Sequence, residues 1–269
     1  MKKILLAVVA AVAVLGGSAY WFGAYDVSAT NQHLKPTFFF LDLATRRSIA
    51  MRAKHIEAPP LDDPALIARG ATHFRVHCVQ CHGAPGVAPE PFALGLTPAA
   101  KNLVYTARIA TSAELFWTIK HGLKMTGMPA WAFRMTDEEI WSVVAFMHKL
   151  TTLTPDEYRD FATRPVSAAS SPTLQTDAAR GKLAVQQYAC PTCHEIPGIV
   201  GANSPVGPPL TGIGNRALIA GMLPNTPESM MRWLRAPQSI NPKSAMPDLG
   251  VTEHHAADMA AYLATLKSH

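Results

Sequence analysis

Five residues, Cys78-Val79-Gln80-Cys81-His82, recur 112 residues later as Cys190-Pro191-Thr192-Cys193-His194. No other feature narrows the possible folds as much. Two thiols three positions apart, followed at once by an imidazole, form the pattern of covalent c-type haem attachment. The thiols add to the two vinyl groups along one haem edge, and the adjacent imidazole is aimed at the iron. All four cysteines of the chain sit in these two copies, so none is left for a structural disulfide. A redox dithiol has no use for the following histidine, and a zinc site would have to draw together motifs 112 residues apart. Two covalently bound haem c groups, each with its iron, are therefore expected, with Cys78, Cys81, Cys190 and Cys193 as attachment points and His82 and His194 as iron ligands. Each iron still lacks a ligand on its opposite face.

Methionine sulfur suits that position, because a thioether is a soft ligand and a His/Met pair raises the reduction potential. Met128-Pro129 lies 46 residues after His82, and Met246-Pro247 lies 52 residues after His194. A lone methionine is usually core filler. Two Met-Pro pairs at similar offsets from two identical motifs point to Met128 and Met246 as distal ligands, with the proline stiffening each loop. Met125, in the same loop as Met128, is the competing residue. His73, His77, His121, His254 and His255 are read as surface or packing residues, with His73 and His77 facing outward. Arg216 and Trp233 in the second half, and Lys101 and Trp117 in the first, are candidate partners for the haem propionates, with ordinary packing or a solvated charge as the bland reading. The Gly207-Pro208-Pro209 loop offers a carbonyl to the other ring nitrogen of His194. The first half has no such loop.

Each motif has the same surroundings. In residues 61–150, an acid and Pro64 start a helix that runs through Gly70 into Cys78. Gly70 inside a helix costs about 1 kcal/mol relative to alanine, so a second helix is expected to approach it closely. That partner starts at Thr136, with Glu139 completing a capping box, and Ile140, Val143, Val144 and Met147 form its apolar stripe. A middle helix is expected near residues 113–121. Residues 176–269 repeat the plan: a helix from Thr176-Asp177 through Gly181 and Tyr188 into Cys190, a middle helix over residues 227–234, and a last helix from Thr252. The two units are expected to share order, helix count and motif placement. Residues 151–175, with Ser167–Pro172 at their centre and a short helical turn near Asp156–Arg159, read as a linker.

The first 24 residues read differently. Lys2 and Lys3 precede 21 uncharged residues, Ile4 to Ala24, which is about the length that crosses a bilayer as a helix. Tyr20, Trp21 and Phe22 close the span where an aromatic belt would sit. The lysines place the N-terminus in the cytoplasm and the rest outside. A cleaved signal peptide ending near Gly17-Ser18-Ala19 is the competing reading. Residues 25–60 connect this span to the first unit, either as an interfacial helix, a partner contact or a solvated spacer. The net charge is +5, and residues 1–60 hold seven Lys/Arg against three Asp/Glu. The remaining chain is nearly neutral, so no nucleic-acid-binding face is expected.

A helix with glycine and an aromatic, C-x-x-C-H, a Pro/Gly loop, a Met-Pro loop and a final aromatic-bearing helix together resemble the class I cytochrome c family. Two such units in tandem resemble the membrane-anchored dihaem cytochromes c of bacterial respiratory chains. The resemblance implies an all-α fold of two tandem cytochrome c domains after an N-terminal transmembrane helix, with both domains in the periplasm. It also implies an electron carrier rather than an enzyme, with redox partner proteins: a dehydrogenase, a quinol-oxidising complex or a terminal oxidase. The alternatives are a subunit that docks a dehydrogenase or terminal oxidase complex and a dihaem peroxidase, which would need one iron with an open position.

Overall fold

The computed structural model describes residues 2–163 and 175–267. The chain divides into two compact units, Met1–Ser167 and Ala168–His269. The centre of the expected linker, Ser167–Pro172, lies outside the described residues. The described residues are mostly helical, with one two-stranded hairpin.

The first unit opens with α1 (Lys2–Trp21), 20 residues with no buried side chain, long and apolar enough to cross a membrane. Helix α2 (Lys35–Ala53) starts with Pro36 in its first turn. Its C-terminal half is no solvated spacer. Ala53 is 3% exposed, Ile56 just beyond packs on the core, and α2 lies against α6 (Ser112–His121). Its N-terminal half leaves Phe38, Phe39 and Phe40 exposed.

Helix α3 (Pro64–His77) is capped by the Asp63 carboxylate, which accepts from the Ala65 amide. After one residue the chain re-forms as α4 (Val79–His82), so the motif occupies a short turn rather than a long helix. Helix α5 (Leu103–Ile109) was not anticipated. Asn102 caps it by accepting from the Tyr105 amide at 3.1 Å. Helix α6 and helix α7 (Asp137–Leu150) both begin with complete capping boxes, Thr111 with Glu114 and Thr136 with Glu139. The stripe expected on α7 is buried: Ile140, Val143, Val144 and Met147 are at most 2% exposed. Phe146 meets Phe74 of α3 edge to face at 5.3 Å. Helix α8 (Pro155–Thr163) extends the short turn expected in the connecting stretch. It buries Tyr158 and sets Phe161 against Phe146, so this part of the stretch adds to the first core.

In the second unit, α9 (Ala178–Gln187) stops short of the motif, where an uninterrupted run into Cys190 was expected. Gly181 precedes Cys190 by nine residues, whereas Gly70 precedes Cys78 by eight. The extra residue is taken up at Ala189, held in a left-handed conformation with φ of 56°. The unit continues through a hairpin of β1 (Leu218–Ile219) and β2 (Leu223–Pro224), which pairs Leu218 with Pro224 and Ile219 with Leu223. Then follow α10 (Pro227–Arg235), α11 (Pro237–Ile240) and α12 (Glu253–Thr265), the last capped by Thr252. The expectation of equal helix counts fails: the hairpin stands in a stretch where the first unit has α5.

In both units the helix before the motif crosses a later helix, α3 on α7 and α9 on α12, at a glycine. A Cβ on Gly70 would sit 1.8 Å from the Ser142 carbonyl oxygen, and one on Gly181 would sit 1.9 Å from that of Asp258. The backbones touch there, so any side chain forces the helices apart.

Candidate haem-binding sites

In the first unit, Cys78, Cys81, His82 and Met128 line one cleft of about 1070 Å³, counting the space at its mouth. Leu96, Leu103, Leu115, Ile119, Val143 and Met147 supply much of its wall. The apolar lining, met by a few polar groups, is that of a cofactor site. Helix α3 delivers the motif to the cleft and α7 closes its floor with Val143 and Met147.

The His82 ring is oriented by its own chain. Its Nδ1 lies 2.7 Å from the Lys101 carbonyl oxygen. A carbonyl only accepts, so Nδ1 carries the proton and Nε2 is left with a free lone pair, the state a metal ligand requires. Burial pushes the His82 pKa down and so favours the neutral ring, against the opposing pull of the Lys101 carbonyl. The sequence offered no loop for this bond in the first unit, but the Lys101 backbone makes it. In the second unit, His194 Nδ1 lies 2.7 Å from the Pro208 carbonyl, in the loop expected to supply it. A Cβ on Gly207 would fall 2.5 Å from the His194 ring, so the loop can pack on the imidazole only with glycine there.

The methionine loops share a device that the spacing alone did not reveal. The Met128 amide donates to Thr126 Oγ1 at 3.1 Å, and the Met246 amide donates to Ser244 Oγ at 3.2 Å. A hydroxyl two residues before a Met-Pro pair, present in both halves, was a legible signal. The Leu123 amide also donates to the Met128 carbonyl at 3.2 Å, which closes the first loop on itself. Met128 packs against the first core, whereas Met125 is 95% exposed and takes a left-handed φ of 57°. Met246 and Cys190 pack against the second core.

The Cys78 and Cys190 thiols are poor nucleophiles as they stand. Burial pushes Cys78 up to about 12, with Cys81 adding to it, and Cys190 up to about 11. Thiolate, the form that exchanges disulfides, is therefore scarce at neutral pH. The donor set fits a covalently held haem: paired thiols, an imidazole with a free Nε2 and a thioether beside an apolar cleft.

The other candidates are placed as follows. His77 does not face outward. It lines the cleft and packs on the Trp131 ring at 4.9 Å, and it stacks with His73 at 6.1 Å. His73 is half-buried, 3.9 Å from Glu139 on α7. Trp131, two residues after Pro129, draws this edge of α3 inward. His121 packs on Trp117. His255 is buried, with Nδ1 2.9 Å from the Tyr188 hydroxyl. His254 lies 3.3 Å from Asp258. Lys101 pairs with Asp42 at 3.6 Å, and Trp117 lies under the Arg52 guanidinium at 6.0 Å. Arg216 donates to the Pro209 and Thr211 carbonyls at 2.5 and 3.3 Å, and Trp233 packs half-buried on the second core.

Comparison with known proteins divides the chain at the same place. Residues 65–147 match the family model described as cytochrome C oxidase, cbb3-type, subunit III, and residues 178–267 match the model described as cytochrome c. A protein named cytochrome c oxidase subunit 2 from Alkalihalophilus pseudofirmus is 33% identical over 120 residues, which cover 44% of this chain and 34% of that one. A protein of the same name from a Bacillus species is 28% identical over 123 residues, with the same coverage. The chain spans about a third of the length of the curated relatives it matches. No solved structure matches it.

Proposed function

We propose, from a chain that carries two cytochrome c-type domains in tandem, that it is a membrane-anchored dihaem electron carrier of a bacterial respiratory chain. When bound, each haem c supplies a reversible one-electron change of its iron between Fe(III) and Fe(II). Cys78 and Cys81 hold the first through thioether bonds, and Cys190 and Cys193 hold the second. His82 and His194 present Nε2 to the irons, each ring fixed by its Nδ1–H bond to a carbonyl. Met128 and Met246 would hold the irons with sulfur, which would leave no place for substrate at either site. The apolar wall of the first cleft excludes water, and the hydrogen-bonded methionine loop resists rearrangement when the charge changes.

The observation that carries this reading is that Cys78, Cys81, His82 and Met128 line one apolar cleft although the methionine is 46 residues from the histidine. The apolar α1 preceded by Lys2 and Lys3 supports a single-pass anchor in the inner membrane, with both units in the periplasm, where haem attachment of this type takes place. A role within a terminal oxidase complex is favoured by one further observation: the first unit matches a cbb3-type subunit III model, and both relatives are named as oxidase subunits.

Haem stoichiometry, visible spectra and peroxide turnover of the purified full-length protein test the carrier reading. Two haems per chain, both six-coordinate and low-spin, are expected. One five-coordinate haem, or turnover of peroxide, would point to a peroxidase instead. Detergent-solubilised full-length protein should bring down a terminal oxidase if the oxidase role holds, and its recovery free of any oxidase would remove that role.

A further inference from the structure

The two histidine-orienting loops are held by different means. In the second unit the loop is fixed from within, because Arg216 donates to the carbonyls of Pro209 and Thr211, next to the Pro208 carbonyl that takes His194 Nδ1–H. In the first unit the corresponding stretch, residues 96–101, is grasped by the segment that leads in from the membrane span. Thr97 Oγ1 donates to the Ala29 carbonyl at 2.7 Å. Lys101 Nζ lies 3.6 Å from Asp42 on α2, and the Lys101 carbonyl takes His82 Nδ1–H. Asp42 is itself fixed by Arg46 at 2.7 Å, one helical turn further along α2.

We propose that Asp42 is a positioning residue for the first haem site, so that the juxtamembrane segment, through Lys101 and the His82 ring, sets the reduction potential of that site alone. The inference rests on the dihaem reading above. Its physical basis is that the strength of the Nδ1–H···O=C bond sets the basicity of the ligating imidazole. A firmly held carbonyl makes the imidazole a stronger donor and favours Fe(III). When Asp42 releases Lys101, the loop loosens, the bond weakens and the potential rises. A partner or lipid that shifted α2 would act on the same lever. The second site, with Arg216 in its own unit, would not respond.

Redox titration of the full-length haem-loaded protein, with the two centres assigned through Met128→Ala and Met246→Ala, tests this. Asp42→Asn and Lys101→Met should each shift the first centre's oxidation equilibrium about threefold towards the reduced form, which is about 28 mV upward at 59 mV per tenfold for one electron. The double variant should shift it no further, and Asp42→Glu should restore it. Thr97→Val should move it in the same direction by less. Additive shifts in the double variant, equal shifts at both centres or an unmoved first centre would overturn the proposal. Wild-type spectra distinguish the failures: two His/Met centres with an inert Asp42 refute only this inference, whereas any other wild-type spectrum refutes the dihaem reading itself.

Discussion

The two units solve one mechanical problem with different parts. Each must cross two helices closely, present a histidine with a free Nε2 and hold a methionine loop. The helix crossing and the methionine loop are built alike: glycine against a backbone carbonyl, and a hydroxyl accepting from the methionine amide. The crossing partners differ. In the first unit Ser142 at the contact is capped only locally, its hydroxyl donating to the Glu139 carbonyl. In the second, Asp258 takes that place, 1% exposed, and binds Arg180 of α9 through Nε at 2.8 Å and Nη2 at 3.1 Å, while also accepting from the Asp177 amide at 2.6 Å. Among the described residues, the second unit has a shorter helix before its motif and no counterpart of α8, and the ionic clasp ties its helices where the first unit has added apolar packing.

The largest expected effect would break the shared part of this comparison. Gly70→Ala and Gly181→Ala each push a methyl into a backbone carbonyl, so each should destabilise its unit by about 3 kcal/mol in denaturant unfolding of the full chain. A loss at one position and tolerance at the other would mean that the crossings are not equivalent. Next, Asp258→Ala should cost about 2 kcal/mol, reduced from a fully buried pair because Arg180 is 34% exposed. Ser142→Ala at the matching position should cost less than about 1 kcal/mol. Equal costs would dissolve the distinction between clasp and packing.

A third test sharpens the contrast at the proximal loops. Arg216→Ala should raise the midpoint of the second centre by about 28 mV, a threefold change at 59 mV per tenfold, and leave the first unmoved. Movement of the first centre instead would place Arg216 outside the loop-holding role. The smallest effect is one of pH. His73, His77 and His148 in the first unit have pKa values pushed below 6.5, by burial first in each case. The unfolded chain therefore binds more protons than the folded one once pH falls through 6.5. The first unit should lose stability from that point downward and keep it above. Amide exchange of α3 and α7, corrected for intrinsic rates, reads this directly, and protection that rises on acidification would show that the histidines are stabilised as cations.

What the sequence disclosed and what it hid follow from which atoms carry the information. The motifs, the capping box at Thr136, the helix start at Thr252 and the two crossing glycines are side-chain facts, and each was legible. The bond from His82 to Lys101 is made by a backbone carbonyl, which any residue possesses, so no residue type announced it. Helix α8 was underestimated for another reason. Thr154 and Glu157 form a capping arrangement with bonds of 2.8 Å, but Pro155 and the polar run after it resemble a linker until Tyr158 and Phe161 find a core to enter. The outward reading of His73 and His77 failed because Trp131, more than 50 positions away, closes over that face of α3. The choice between Met125 and Met128 was open in the sequence because both lie in one loop, and only the fold separates an exposed side chain from one beside the cleft.

The central claim is that each unit completes its site with one methionine sulfur, Met128 in the first and Met246 in the second. The most direct measurement is the intensity of the sulfur-to-iron charge-transfer band in oxidised full-length protein, compared across single variants. Met128→Ala and Met246→Ala should each remove half of the band, and Met125→Ala should leave it whole. Loss of half the band in Met125→Ala, or a full band in Met128→Ala, would contradict the account.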